Sequence, residues 1–533
     1  MFNFFKCKAI RKALLAGVFS SLLISCGKEK INHVKYIPTN SFAVISLNTE
    51  EIFSDAFFDL IANNDLTDDL TTGPLSGLIK DPASAGIQRL TKYHFFNEGA
   101  SFLEGKMGAI LPLNDKELLA SYIEKNFPES EVLSDNGFLV AEISSEHSVV
   151  WDDNTAIYYY SPFGGDLIEE IEELFKQTYE ESLAAKDSSF RYAVNNNAHL
   201  SLWIKNDDFM ALIDEGIKML NDFNLFESTN LKKDDITGAK SVFLANFNDG
   251  NISISQRQYL NPIQMKVYNG FNKENNVSAL GGIVGVNSPL ALVSASLKSE
   301  GLIELLKEYK VDKAWDKVIA NSPLQFKLDQ LAQLFEGDIL LSVNGLDDVK
   351  RTIKTVDMDD EGNDVIVDKE VNQKVPQINL AMSLKDKNKF SGFFSLLSAA
   401  LPQVDGFLSF NNEFYLSLTD SHLLVTTTPK GITFLKAMEG KLSPELDTLI
   451  TSHRTASYLN FNEILHAVKG EVSIPLDSFG NLKNFVFSEK GLESEGIIEG
   501  KTVINFNNND NGLISSIKFL TGVGKIIQPF MML

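Results

Sequence analysis

What most constrains this chain is a unit that recurs along it: a short apolar strand, a polar turn residue, an acid, then apolar residues at helical spacing. Missing a repeat of this kind misreads the whole fold. The strands are residues 42–47, 107–113, 199–204, 290–297, 378–384 and 456–459. Behind them stand Asn48 and Glu50, Asn114 and Asp115, Asn206 and Asp207, Ser299 and Glu300, Lys385 and Asp386, and Asn460 with Asn462 and Glu463. Asn, Ser or Asp at a strand end caps the first amides of the helix that follows, and an acid in the first turn meets the positive end of its dipole. Asn206–Asp207 and Asn462–Glu463 therefore read as caps, not as catalytic carboxylates.

The copies group into two sets. Residues 102–107, Phe-Leu-Glu-Gly-Lys-Met, resemble residues 334–339, Leu-Phe-Glu-Gly-Asp-Ile. Residues 156–160, with Pro162 and a helix around Leu167, Ile168, Ile171 and Leu174, resemble residues 423–427, with Pro429 and a helix around Ile432 and Leu435. Each set ends in long alternating strands, at 242–247 and 252–259 and again at 485–488 and 497–505. Period-two alternation of this sort predicts antiparallel hairpins. The expected fold class is α+β: two related lobes of mixed, mainly antiparallel sheet with amphipathic helices, arising from an internal duplication. The expected boundaries are a signal peptide at 1–25, a tether at 26–36, a first lobe at 37–275 and a second at 276–533. Residues 269–276 are the linker candidate, and one sheet shared by both halves is the alternative. A chain of 533 residues suits two to four domains at about 150 residues each.

The N-terminus supplies the address. Lys6, Lys8, Arg11 and Lys12 precede an apolar run, 13–24, that is long enough for a signal peptide and too short to span a bilayer. Leu23-Ile24-Ser25-Cys26-Gly27 then resembles the lipobox of bacterial lipoproteins. That resemblance implies cleavage between Ser25 and Cys26, acylation of the Cys26 sulfur and amino group, and anchorage to a membrane by those chains. Two or more acyl chains anchor firmly where a single one binds only marginally. The absence of Asp after Cys26 tilts the expected location to the outer membrane. Lys28-Glu29-Lys30 matches a surface-export signal only in part, so the periplasmic face and the cell surface both stand open.

The other cysteine, Cys7, lies within the removed segment, so the mature chain has no disulfide. Removing the four cations of the signal takes the net charge from −23 to −27. A chain so acidic repels phosphate backbones, which disfavours nucleic acid as a partner.

The lipobox, Tyr36-Ile37-Pro38 leading into the strand at 43–47, and Leu334-Phe335-Glu336-Gly337-Asp338 together resemble a family of Bacteroidota lipoproteins classified only as a domain of unknown function. The resemblance implies an address and a two-lobed architecture, and no catalytic residues or cofactor come with it.

Catalytic patterns are sparse. The seven histidines, at 33, 94, 147, 199, 422, 453 and 466, show no zinc-type spacing, and no Gly-x-Ser-x-Gly elbow occurs. Gly281-Gly282-Ile283-Val284-Gly285 lacks the Lys-Ser/Thr of a phosphate loop and reads as strand and lobe connection. Trp151 with Tyr158, Tyr159 and Tyr160 reads as packing, because alternation buries Tyr159 or its two neighbours. Glu169, Glu170, Glu172 and Glu173 read as the solvated side of a helix.

Asp357, Asp359, Glu361 and Asp368 have EF-hand spacing with Gly362 at position six, which makes Ca²⁺ the one candidate cofactor. The β-like flanks favour a plain hairpin tip instead. The functional expectation is a non-enzymatic, lipid-anchored binding or scaffolding protein whose partner is an envelope protein or glycan. The alternative is a lipid-anchored hydrolase of peptide or glycan, marked by two facing acids in a cleft.

Overall fold

A computed structural model describes residues 32–52, 81–99, 105–206, 237–308, 333–358, 364–410, 412–469, 480–492 and 496–516. The signal, residues 26–31 of the tether with Cys26, Asp207 and most of the C-terminal segment 513–533 lie outside them, whereas residues 33–36, read as tether, form a short 3-10 helix that puts Tyr36 in the first core.

In the first half the strands are β1 (Ser41–Asn48), β2 (Lys92–Glu98), β3 (Lys106–Pro112), β4 (Leu133–Asp135), β5 (Phe138–Ser144), β6 (His147–Trp151), β7 (Thr155–Tyr160), β8 (Leu200–Lys205), β9 (Lys240–Asn248) and β10 (Asn251–Tyr259). In the second they are β11 (Ala291–Ser296), β12 (Phe335–Met358), β13 (Asp364–Leu384), β14 (Gln403–Val404), β15 (Phe407–Phe410), β16 (Phe414–Leu418), β17 (His422–Thr426), β18 (Thr455–Asn460), β19 (Leu482–Leu492) and β20 (Ile497–Phe506). All twenty join one antiparallel sheet. Across the first half the order is β4-β5-β6-β7-β3-β2-β1-β8-β9-β10. Across the second it is β14-β15-β16-β17-β13-β12-β11-β18-β19-β20. Each half thus runs through the same order, strand for strand.

The halves meet where their last strands pair, β10 against β20, in nine rungs from Asn251↔Asn505 to Tyr259↔Ile497. One sheet therefore runs through both halves, the alternative that the sequence had left open. Its outer edges are the three-residue β4 and two-residue β14, and edges so short offer little template to another chain.

Helices clothe both faces: α1 (Lys116–Asn126), α2 (Leu167–Lys176), α3 (Ser188–Asn195), α4 (Pro262–Phe271), α5 (Ser278–Val284), α6 (Ser299–Glu308), α7 (Lys387–Ala400), α8 (Pro429–Ala437), α9 (Pro444–Ser452) and α10 (Phe461–Val468). On one face of the first half, Ile171 of α2 and Phe190 of α3 pack with Ile110, Ile157 and Trp203. On the other, Leu119 and Ile123 of α1 pack with Tyr93, Val149 and Trp151. The second half repeats this with α5, α8 and α9 on one face and α7 on the other. Neighbouring residues of one strand serve opposite cores, as Leu423 and Leu424 do, because strand side chains alternate.

The six recurring units fall on β1, β3, β8, β11, β13 and β18, three matched places in each half. Asp115 caps α1, accepting from the amides of Glu117 at 2.9 Å and Leu118 at 3.1 Å. Asp386 caps α7 in the same way, from Asn388 at 2.9 Å. At α10 the cap is Asn460, which accepts from the Glu463 amide at 3.2 Å, while Asn462 bonds Asn507 instead.

Several sequence readings are corrected. Residues 334–339 open β12, which holds the place of β2, whereas Lys106 and Met107 begin β3, the counterpart of β13; local likeness at a strand entry does not decide sheet position, which pairing sets. Gly337 is required at that entry, with φ of 102° and a Cβ position 1.6 Å from the Leu297 carbonyl oxygen. The glycine run 281–285 is largely helix α5, and Gly281 lets it lie against Leu442. The linker candidate, 269–276, is tied to the second half. Its first residues end α4, and Asn275 donates to the carbonyls of Ile450 and His453, both at 2.5 Å. Glu172 is buried, bonded by Asn136 at 3.2 Å, where a solvated acid was expected.

Candidate functional site

A cavity of about 260 Å³ lies over the joint between the halves. Its floor comes from four adjacent strands, and the registers fix which side chains share its face. One rank runs Leu244, Ser255, Lys501, Ser488 across β9, β10, β20 and β19. The next runs Val242, Arg257, Glu499 across β9, β10 and β20. Ser255↔Lys501 is the fifth of the nine β10–β20 rungs, so the cavity sits on the centre of the joint. Tyr192 of α3 and His453, just past α9, border it from above.

The charged groups are organised in detail. Glu499 accepts from Arg257 Nε at 2.8 Å and from its Nη2, and Lys490 Nζ stands 3.9 Å from the other carboxylate oxygen. The Arg257 guanidinium lies 4.1 Å from the centre of the Tyr192 ring, a cation–π contact that fixes it in place. His453 Nδ1 faces the Leu449 carbonyl at 2.9 Å; a carbonyl only accepts, so Nδ1 carries the proton. Three cations thus face one carboxylate, a positive recess in a chain of net charge −23. Within the floor, Leu244 is 4 % exposed and Val242 fully buried, so that edge of the site is apolar.

The residues singled out from sequence lie elsewhere. Cys26 and Ser25 are outside the described residues, as are Asp359 and Glu361. Asp357 is paired with Val365 and Asp368 with Lys354 in the β12–β13 ribbon. Residues directly opposite share a face and successive residues alternate, so Asp357 and Asp368 project from opposite sides of the ribbon. The structure does not bring these two together as a calcium loop would. Among the described residues no three His, Cys, Asp or Glu side chains gather as a metal site. Tyr159 is buried, as alternation requires, with its hydroxyl bonded to Glu98.

The family-like motifs have structural work. Tyr36 packs on Phe175 with ring centres 5.2 Å apart, and Ile37 is wholly buried in the first core. Asp338 is 1 % exposed and accepts from Ser296 at 2.6 Å and Lys273 at 2.5 Å.

Sequence reasoning missed Arg257, Glu499 and Lys501. The signal available was local: charged residues at alternate positions, 499 and 501, and Arg257 among small polar residues. It lacked the pairing of strands some 240 residues apart that gives those positions one face.

Among the described residues no helix is long and apolar enough to cross a membrane. No curated protein matches the chain. Crystal forms IV and III of TP0453 align with 47 % of this chain and with 89 % and 90 % of their own, at 11 % and 10 % identity and a TM-score of 0.28 each. A likeness that slight carries no argument. The match that does carry one is to a domain of unknown function, DUF4836, over residues 31–356, and the chain belongs to that family.

Proposed function

We propose that this protein is a lipid-anchored binding protein of the outer membrane, a Bacteroidota-type lipoprotein tethered by acyl chains on Cys26, whose body holds an envelope component at the seam of two duplicated halves. The observation that carries the reading is the composition of the seam cavity. It presents a single carboxylate, Glu499, and that group is already engaged by Arg257 and Lys490. A hydrolase of peptide or glycan would need a second facing acid or an activated nucleophile. His453 spends its Nδ1 proton on the Leu449 carbonyl and makes no hydrogen bond to Ser255 or Ser488, so neither serine is activated. Binding without chemistry is what such a lining serves. The matched strand order of the halves supports descent from one duplicated ten-strand unit. Calcium has no part in this reading, given the opposed faces of Asp357 and Asp368.

The test is fractionation with labelled palmitate, joined to crosslinking in intact cells and protease shaving. The wild-type chain carries label, sediments with the outer membrane and captures a stoichiometric envelope component. Cys26→Ala loses label and membrane attachment together. Attachment of Cys26→Ala without label in the wild type, or crosslinking that recovers nothing from any envelope fraction, overturns the reading.

A further inference from the structure

The seam cavity carries more chemical information than its position. On its lining Lys501, an exposed side chain, makes no ion pair or hydrogen bond among the described residues. The register flanks it with Ser255 on β10 and Ser488 on β20's other neighbour, β19, all three on one face. Directly paired positions in adjacent strands lie about 5 Å apart, so the lysine and the two serines rise side by side from one face, and each carries a hydrogen-bond donor. Both hydroxyls likewise make no hydrogen bond among the described residues. Ser488 is 6 % exposed, and its hydroxyl opens into the cavity that it lines.

The one acid close by does not neutralise this row. Glu499 stands in the adjacent rank and is held by Arg257, itself stacked on Tyr192, and by Lys490. An excess of positive charge is therefore left at the centre of the recess. Elsewhere the chain is strongly acidic and repels anions, so the recess is selective for them by contrast.

We propose that the seam cavity binds a small organic oxyanion, with its carboxylate or phosphate group on Lys501, Ser255 and Ser488 and its carbon part over Leu244. The volume of about 260 Å³ is at or below the smallest sites for drug-sized ligands, roughly 300 Å³, which limits the occupant to a compact molecule. Lys501 and the two serines act as binding residues, and Arg257 is a positioning residue that keeps Glu499 from competing. The proposal rests on the binding role given above and specifies its ligand class.

The experiment is calorimetric titration of the folded chain with inorganic phosphate, succinate and glucose at low salt. Phosphate or succinate is expected to bind saturably and glucose not at all. Lys501→Met keeps the aliphatic stem and is expected to weaken that binding by about tenfold or more, as loss of a charge-assisted contact should. Its unfolding midpoint should stay unchanged, because the lysine has no structural partner. Ser255→Ala with Ser488→Ala is expected to weaken binding by about tenfold, while Lys436→Met on α8, which is not part of the lining, leaves it unchanged. Binding of both anions undiminished in Lys501→Met overturns the oxyanion site. Binding of glucose as tight as either anion overturns the ligand class and leaves the binding role standing. No saturable heat from any probe overturns the oxyanion site, and the binding role is then judged by the crosslinking result alone.

Discussion

In the sheet of the first half one of the most deeply buried titratable groups is a neutral ring. His94 is 2 % exposed and bonded to Ser46 at 2.8 Å, beneath an aromatic core holding Phe190 and Trp203. The first half also buries the acids Glu172 and Asp187, the latter beside a partly exposed Lys240, whereas the second half encloses both partners of two ion pairs. Asp338 takes Lys273, and Arg454, 6 % exposed, takes Glu489 while stacking 4.1 Å from the centre of the Tyr268 ring. Lys273 and Tyr268 belong to the segment that follows β10, so chain leaving the first half supplies partners for the charges of the second. The same strand order is thus completed in two ways, and the second half depends on the first for its electrostatics.

The largest expected effect comes from stranding one of those buried charges. Burial lowers the pKa of Arg454 and raises that of Glu489, so desolvation outweighs the attraction for both groups. Glu489→Ala strands a buried guanidinium and is expected to cost about 3–5 kcal/mol in chemical denaturation. Replacing both partners, Arg454→Met with Glu489→Leu, is expected to recover most of that loss. A double variant as unstable as Glu489→Ala would show that the pair itself, and not the stranded charge, sustains the second half.

A smaller effect belongs to the first half. Burial depresses His33 to about 4 and His94 to about 3. Each is below the unfolded value near 6.5, so between those limits the unfolded chain binds more protons and stability rises with pH. Acidification from about pH 6.5 toward 4 is expected to remove stability, with His33 contributing about 2–3 kcal/mol. A melting-temperature series over that range in the wild type and His33→Gln should show the variant with the flatter slope. Equal slopes would remove His33 from the account.

The smallest effect concerns the one large departure from matched geometry. Where β2 and β3 are seven residues each, β12 and β13 run on as a ribbon whose rungs from Leu346↔Pro376 to Met358↔Asp364 pair only with each other, about 40 Å of chain. Its base is pinned where Asp347 accepts from Thr428 at 2.7 Å and Lys430 at 3.2 Å. Farther out Val356 and Ile366, a direct cross-strand pair, are 62 % and 73 % exposed. Shortening the ribbon beyond Val349↔Gln373 is expected to change the stability of the body by less than about 1 kcal/mol, since a solvated two-stranded ribbon adds little to a sheet. A larger loss in urea titration would mean that the ribbon braces the second half.

Much of this was legible from local chemistry. The strands of all six recurring units, the caps Asp115 and Asp386, and the terminal strands of each half follow from periodicity and turn residues that act within a few positions. Place in the sheet was not legible where it depends on pairing. Residues 102–107 and 334–339 look alike yet lead into strands that hold different places. The joint of β10 with β20, and with it the row of Ser255, Lys501 and Ser488, arises from strands far apart in sequence that no local pattern connects. Asp357 and Asp368 show the converse: their spacing fitted a calcium loop, their β-like flanks favoured a hairpin, and the ribbon register sends the two to opposite faces.

The central claim is that the halves are one sheet, joined at β10 and β20, with the binding site on that joint. Native-state hydrogen exchange tests it most directly. Amides of residues 251–259 and 497–505 are predicted to be protected to the same level as those of β9 and β19 beside them. Exchange of both strands at the rate of free sheet edges, while β9 and β19 stay protected, would contradict the joint and the site built on it.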